Sequence, residues 1–268
     1  MSESRSGLFN FSSVPDAYRE HLQPSVFDPW AHALLAFVPP ESGSVILDVA
    51  AGTGAVAHAA AVIAGPRGRV IAADVSSMML ADAGLAPSDY RAPVELLECP
   101  ADKLALPDAS FDVVYCQQGL QFMPDRAAVM TEVLRVLRPG GSAGIAVWSD
   151  RKPPEPFDMY ARVLQEHGIA EPYPGAYDLT KVTMSEAEIE ALLTAAGFPR
   201  PTVRTVDLLL DWPDAEVAAL GILGSTYGQT VASLNAEEQA EVFASIVEEA
   251  SDGRPRLMSA VVGRGVAI

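Results

Sequence analysis

Between residues 44 and 148, short runs of apolar and β-branched residues alternate with segments of helical pattern. Five runs are typical of strands: 44–49, 69–74, 94–99, 111–116 and 142–148. Strands with no polar alternation are buried on both faces, and connections long enough to form helices make neighbouring strands parallel. The pattern predicts an α/β fold in which helices cover both faces of a mostly parallel sheet.

The segments on either side of this alternation are predicted to be extra parts of one domain, residues 1–268. Beyond a polar, frayed first dozen residues, apolar residues at helical spacing predict a helical cap over 14–40, divided into two short helices by Pro24 and Pro29. After the 44–148 core, residues 149–268 contain no repeat and no long flexible linker. We expect them to supply helical inserts on the substrate side and the last two strands. Within the core, helices are also predicted at 77–85 and 126–137. In residues 149–268, the predicted helices are 159–167, 185–196 and 236–250, and the predicted strands are 203–212 and 256–267.

Composition excludes several classes of protein. The chain carries 18 Lys and Arg against 35 Asp and Glu, a formal charge of −17, which disfavours a nucleic-acid partner. Two cysteines, Cys99 and Cys116, with no Cys/His cluster, indicate neither a disulfide framework nor a metal site. Without a leader-like start or an apolar run of about 20 residues, we expect a cytoplasmic protein that has no membrane partner.

Carboxylates follow three successive predicted strands, and a glycine turn lies between the first two. Asp48 and Asp74 end the first and second strands, Asp102 comes just after the third, and Gly52-Thr53-Gly54 follows Asp48. In an open parallel sheet, ligands bind outside the carboxyl ends of the strands. A ligand at this edge is therefore expected to meet the turn and the acids together.

Two kinds of ligand are candidates for this edge of the sheet. Residues 52–57 satisfy the dinucleotide pattern GxGxxG/A, with Asp74 about twenty residues on, so an NAD-dependent oxidoreductase is one alternative. Asp48 would then face a pyrophosphate, and two like charges ~4 Å apart at an effective dielectric near 20 repel by about 4 kcal/mol. S-adenosylmethionine avoids this repulsion because its methionine end carries an ammonium and a sulfonium, and its ribose hydroxyls can donate to Asp74.

The chain resembles the class I S-adenosylmethionine-dependent methyltransferases, in particular the branch that contains the ubiquinone and menaquinone enzymes. The resemblance covers about residues 14–148 and only loosely 149–268. It rests on the order and spacing of four segments: VILDVAAGTG (45–54), VIAADVSSMML (70–80), PDASFDVVYCQQGLQFMPD (107–125) and LRVLRPGG (134–141). It implies a Rossmann-like seven-stranded sheet in the order 3-2-1-4-5-7-6 with an antiparallel last strand.

The resemblance also implies where S-adenosylmethionine binds. The methionine end is expected at Asp48 and the backbone of Ala50, Gly52 and Gly54, with Gln117 accepting from the ammonium. Asp74 is expected to hold both ribose hydroxyls. The remaining contacts are expected from Val75 and Met79 on the adenine faces, from Ala101 and Asp102 at the adenine edge, and from Tyr18 of the cap.

Two departures from the family pattern affect these expectations. Ala50 replaces the first glycine of the family's Gly-x-Gly-x-Gly, which still permits a close backbone approach. Cys99-Pro100-Ala101 replaces the Gly-Asp-Ala of many relatives, which removes the acid expected at adenine N6 and leaves Asp102 as its substitute.

Catalytic candidates are few, because methyl transfer from a sulfonium depends mainly on positioning. His21 in the cap and His167 after the fifth strand are the candidate bases, whereas His32 and His58 are expected to be structural. Gln121 stands where the family often has histidine, and it is expected to orient the acceptor because glutamine does not titrate. An aromatic substrate pocket is expected from Phe122, Trp148, Tyr173, Tyr177, Trp212 and Tyr227.

The predicted function is S-adenosylmethionine-dependent methyl transfer to an O, N or C atom of a small, fairly apolar metabolite such as a quinone or polyketide, by a monomer or homodimer. No basic cluster is present to grip a phosphorylated acceptor. The alternatives are a non-methylating cyclase that keeps the cofactor as a scaffold, the NAD-dependent oxidoreductase, and an RNA methyltransferase, which the charge balance disfavours.

Overall fold

The computed structural model describes residues 14–268 except 82, 85–88, 90, 211, 253 and 255. The expected frayed start, residues 1–12, lies outside the described residues. A seven-stranded sheet has the order β3-β2-β1-β4-β5-β7-β6, with β7 antiparallel to both its neighbours and the other pairs parallel. The predicted fold and strand order are confirmed. The strands are β1 Val45–Val49, β2 Arg69–Asp74, β3 Val94–Glu98, β4 Phe111–Gln117, β5 Leu137–Trp148, β6 Thr202–Leu210 and β7 Arg256–Val266.

Successive residues of the central strands enter two separate hydrophobic cores, one on each face of the sheet. In β1, Ile46 packs into one core and Leu47 into the other, and both are fully buried. This alternation follows from the two-residue period of a strand and explains why β1 is apolar at successive positions. The one buried charge in β1, Asp48, must therefore have a specific role or partner.

Helices cover both faces. Their bounds are α1 Val14–Ala17, α2 Asp28–Phe37, α3 Ala55–Ala64, α4 Ser77–Leu80, α5 Arg126–Val136, α6 Phe157–Glu166, α7 Glu186–Ala196, α8 Ala215–Leu220, α9 Gly228–Ser233 and α10 Ala236–Ala250. Helices α2 and α3 pack together on one face, and α5 packs beside α7 on the other. Across the described residues, none of the helices is long and apolar enough to cross a membrane.

The prediction that prolines divide the N-terminal cap into two helices is wrong. Helical structure is continuous from α1 through a π-helical segment, Tyr18–Phe27, into α2. Pro29 is the second residue of α2, at its junction with the π-helical segment. Pro24 lies within the π-helical segment, where the amide of Asp28 reaches back five residues to the carbonyl of Gln23. We attribute the tolerance of Pro24 to this wider turn.

Other element boundaries shift by a few residues. Helix α5 ends at Val136 and β5 begins at Leu137, not at 142, because Leu137 pairs with Phe111 before the register shifts at a bulge. Helix α4 ends at Leu80, not at 85, and residue 85 lies outside the described part. The predicted helix over 185–196 is confirmed as α7: Ser185 and Glu188 form a reciprocal capping box before it, and Gly197 follows it in the left-handed region.

Candidate active site

The turn after β1 brings backbone amides to the carboxyl edge of the sheet. Ala50, Gly52 and Gly54 all have positive φ, at 57°, 56° and 92°. Gly54 also has no room for a side chain, since a Cβ there would lie 2.8 Å from Nε2 of His58 and 3.1 Å from Cα of Ala83. The family glycine missing at position 50 is thus replaced by an alanine that adopts the same uncommon left-handed conformation.

Asp48 lies beneath this turn and is only 1% exposed. Its Oδ2 accepts a hydrogen bond from the amide of Ala57 in the first turn of α3, at 2.9 Å. Burial, reinforced by the nearby Asp74 carboxylate, raises the pKa of Asp48 to about 8, although the Ala57 amide favours the ionised form. The side chain is outside the lining of the cavity described below, so it faces a ligand only through the turn.

This buried carboxyl predicts a measurable pH dependence of stability. Because the pKa of Asp48 is higher in the folded than in the unfolded chain, the folded state binds this proton more tightly. The resulting stabilisation of the fold is complete below about pH 4 and is lost as pH rises towards 8. Replacing Asp48 with asparagine keeps an acceptor for Ala57 and removes the titration. We expect the free energy of unfolding of the wild type, measured by urea denaturation without ligand, to fall relative to Asp48→Asn by on the order of 3 kcal/mol between pH 5 and 8. Parallel pH profiles would contradict this assignment.

Asp74, at the end of β2, lies closer to the surface of the site. Its Oδ2 accepts from the amide of Gly52 and its Oδ1 from the amide of Ser76, each at 2.9 Å. Burial raises the pKa of Asp74, and these amide hydrogen bonds oppose the rise. The carboxylate therefore ties the glycine turn to the start of α4, at a point where a ligand hydroxyl has access to it.

Apolar side chains follow Asp74 immediately. Val75 is 46% exposed, which is high for a valine beside a buried strand, whereas Met79 is buried and its Cε would lie 3.5 Å from a Cβ at Gly52. Ser76 caps α4 by accepting from the amide of Met79. The exposed valine and the flexible methionine are suited to the contact of a flat apolar ligand.

One cavity of about 360 Å³ joins this edge to an aromatic pocket. Nine of the fourteen predicted site residues line it: Tyr18, Ala50, Gly52, Asp74, Val75, Met79, Ala101, Asp102 and Gln117. Its described lining also contains Asp125 but no Lys, Arg or His. The cavity thus has an acidic end at the carboxyl edge of the sheet, and its described lining contains no basic side chain.

Aromatic rings form a further part of the cavity wall. Tyr18 stacks on Phe27 with ring centroids 4.5 Å apart, and Trp148 contacts Phe27 at 6.3 Å and Phe157 at 6.0 Å. Of the predicted pocket aromatics, the cavity is lined by Phe122, Trp148, Tyr173 and Tyr227.

The other two predicted aromatics lie outside the lining. Tyr177 packs behind Tyr227, with ring centroids 5.8 Å apart, and its hydroxyl donates to the carbonyl of Ile169. Trp212 packs against the core. Phe157, the first residue of α6, also lines the cavity. It was not among the predicted pocket residues, because only the packing of α6 brings it there.

The helical cap is fastened to the core beside the cavity. The Thr53 hydroxyl of the glycine turn donates to Oε1 of Gln23 at 2.5 Å, and Nε2 of Gln117 donates to the carbonyl of Phe27 at 3.0 Å. Oε1 of Gln117 is buried and has no hydrogen-bond partner among the described residues. Since a buried acceptor without a partner is costly, this oxygen is available to a ligand donor.

The predicted histidine bases do not reach the cavity. Nε2 of His21 lies 3.9 Å from a carboxylate oxygen of Glu20, and Nε2 of His167 is 2.9 Å from the Ser245 hydroxyl on α10. Neither residue lines the cavity. The structure thus separates both histidines from the other candidate residues.

Gln121, the third catalytic candidate, is 2% exposed and lies behind the lining. Its Nε2 donates to Oε1 of Gln118 at 3.2 Å, and Gln118 does line the cavity. Gln118 is not one of the predicted site residues, because no local sequence pattern distinguishes it. Its unusual feature, a φ of +53°, is visible only in the structure.

Comparisons with known proteins agree with this geometry. A family model described as a methyltransferase domain matches residues 47–145. The ubiquinone/menaquinone biosynthesis C-methyltransferase UbiE of Pseudomonas putida is 28% identical over 189 residues, which cover 65% of this chain and 72% of that protein.

Solved structures share the fold at low identity. Phosphoethanolamine N-methyltransferase 2 of Haemonchus contortus, solved with S-adenosyl-L-methionine, aligns with a TM-score of 0.61 at 18% identity, over 100% of this chain and 60% of that one. The [4+2]-cyclase SpnF aligns with a TM-score of 0.52 at 21% identity, over 90% and 82%. At these identities the two structures support the fold alone.

Proposed function

This chain is a class I S-adenosylmethionine-dependent methyltransferase, and from that premise we propose that it methylates an O, N or C atom of a small, fairly apolar, uncharged metabolite. The observation that carries the proposal is a cavity whose described lining joins carboxylates to aromatic rings and contains no cation. A quinone-like acceptor fits the aromatic part of this lining and is consistent with the UbiE relative.

The residues of the acidic end fit S-adenosylmethionine. Oε1 of Gln117 is a buried acceptor without a partner in the described part of the chain, as a bound ammonium requires. Ala50 and Gly52, both with positive φ, line this end of the cavity, and no cation in its described lining competes with a sulfonium. A pyrophosphate would instead meet the carboxylate of Asp74 with no cation in the described lining to balance it.

We assign the binding roles accordingly. Asp74 receives the two ribose hydroxyls, while Val75 and Met79 contact the adenine faces and Ala101 and Asp102 its edge. Gln117 accepts from the ammonium, and Tyr18 closes the site from the cap. Asp48 and Gly54 lie outside the lining, so we assign them to the turn: Asp48 through the Ala57 amide and Gly54 through its conformation.

Bound S-adenosylmethionine supplies an electrophilic methyl group. The chain then needs to orient the acceptor in line with that group and to exclude water, which the aromatic wall of Phe27, Trp148 and Phe157 does. We assign proton removal to no side chain, because His21 and His167 lie outside the cavity lining. A neutral acceptor with an electron-rich atom, such as a ring carbon of a hydroquinone, suits this site, and the proton that it loses on methylation passes to solvent.

The acceptor class can be tested with a matched pair of small molecules. S-adenosylhomocysteine formation is measured with two naphthyl compounds, one neutral and one phosphorylated, alongside a series of hydroquinones. The pair is taken as 1,5-dihydroxynaphthalene and its monophosphate ester, so that both compounds keep a free phenol. We expect turnover with uncharged phenols and hydroquinones, and at least about tenfold less with the phosphate ester, because a dianion buried without a cation is strongly disfavoured. Equal turnover of the two naphthyl compounds would contradict the proposal. Tight cofactor binding with no S-adenosylhomocysteine from any acceptor would instead favour the cyclase alternative.

A further inference from the structure

Gln118 occupies a strained backbone position directly after β4. Its φ of +53° places a residue with a side chain in the left-handed region, where glycine is the usual residue. The conformation is held by the neighbouring strand, since the Gln118 amide donates to the carbonyl of Ala146 in β5 at 2.8 Å. Strained positions of this kind cluster at sites where a side chain must be aimed at a ligand.

The side chain at this position lacks a hydrogen-bond acceptor. Gln118 is 7% exposed, and its Nε2 is buried without a partner among the described residues, while its Oε1 accepts from Gln121. The backbone of Gln121 is held in turn, because Arg126 donates to its main-chain carbonyl at 3.0 Å. The hydrogen bond from Gln121 thus occupies Oε1 of Gln118, and Nε2 of Gln118 remains available to a ligand at the cavity wall.

The surroundings determine the chemistry of that ligand. Gln118 lines the same cavity as Phe122, Trp148 and Tyr227, and no Lys, Arg or His is among the described lining residues. A neutral amide is a sufficient donor for a carbonyl or hydroxyl oxygen, but it does not compensate the burial of a carboxylate or phosphate.

We propose that Gln118 is a specificity-determining residue that donates through Nε2 to a neutral oxygen of the methyl acceptor, with Gln121 as a positioning residue that holds its amide. The inference rests on the proposed function and adds one requirement to it. The acceptor must carry a carbonyl or hydroxyl oxygen on its apolar ring system.

The test uses two probes that differ only in such an oxygen: 1-tetralone, a bicyclic ketone, and tetralin, the same ring system without the carbonyl. Dissociation constants are measured for the full chain with S-adenosylhomocysteine bound. We expect the wild type to bind tetralone about tenfold more tightly than tetralin, and Gln118→Leu to bind the two about equally. Gln165→Leu is the matched control, since Gln165 is exposed on α6, outside the cavity lining, and its side-chain amide donates to the carbonyl of Ala161 in its own helix. It should keep the wild-type ratio.

A second measurement covers the case in which Gln118→Leu does not fold. The side-chain amide resonances of Gln118, assigned by their loss in Gln118→Met, should shift when tetralone is added and stay unchanged with tetralin. The proposal is overturned if the wild type binds neither probe or binds both equally, or if the Gln118 variants keep the tenfold ratio. If S-adenosylhomocysteine itself does not bind the wild type, the proposed function fails first, and calorimetry of that ligand alone reports this separately.

Discussion

Replacing Asp74 with alanine is expected to weaken S-adenosylmethionine binding at least about a hundredfold while the protein stays folded. Two hydrogen bonds from ribose hydroxyls to a carboxylate contribute ~1.5–3 kcal/mol each, and every 1.4 kcal/mol changes the dissociation constant tenfold. The substitution also removes the acceptor for the Gly52 and Ser76 amides, which loosens the turn that faces the ligand. Both losses act in the same direction.

The measurement is titration calorimetry, with Glu98→Ala as the control. Glu98 pairs with Asp74 in the β2–β3 register, but its side chain is exposed and outside the cavity lining, so removing its charge should leave the affinity within about twofold. A more specific comparison uses adenosine and 2′,3′-dideoxyadenosine. The wild type should prefer adenosine, and Asp74→Ala should lose that preference. If the variant still distinguishes the two nucleosides, Asp74 does not bind the ribose.

Replacing Gly119 with alanine is expected to have the second large effect. A Cβ on Gly119 would lie 2.5 Å from Cβ of Ala50, so the loop after β4 and the turn after β1 cannot keep their positions. Ala50 has little freedom to move because its φ is already 57°. We expect the free energy of unfolding to fall by about 1–3 kcal/mol and cofactor affinity to fall at least tenfold.

The strain at Gly119 is steric and not conformational, since its φ of −104° suits any residue. Gly84→Ala is therefore a suitable control, because the described atoms nearest to a Cβ there belong to Leu96 and lie at ordinary contact distances near 3.5 Å. Unfolding in urea and calorimetry with S-adenosylhomocysteine should leave the Gly84 variant close to the wild type. A Gly119 variant with unchanged stability and affinity would show that the two loops adjust independently of each other.

The residues that line the acidic end of the cavity were predictable from the sequence because they follow directly from the strands. The carboxyl end of a parallel strand fixes where the next residue lies, so Asp74, Val75 and Gln117 reach the cavity without any contribution from distant segments. His21 and His167 were less predictable. Their positions depend on how the cap and the 149–268 segment pack, and helical spacing contains no information about that packing.

By itself, the sequence determined the α/β class, the strand order through its resemblance to a family, and the edge of the sheet at which a ligand binds, since these follow from local apolar patterns and the glycine turn. Only the tertiary structure decided that helix continues past Pro24 and Pro29, that Asp48 lies beneath the turn and not in the cavity, and that Gln118 faces the cavity with Gln121 behind it. The physical reason is that side-chain burial and hydrogen-bond pairing join residues that are distant in the chain or lie in irregular turns. No residue spacing encodes those contacts.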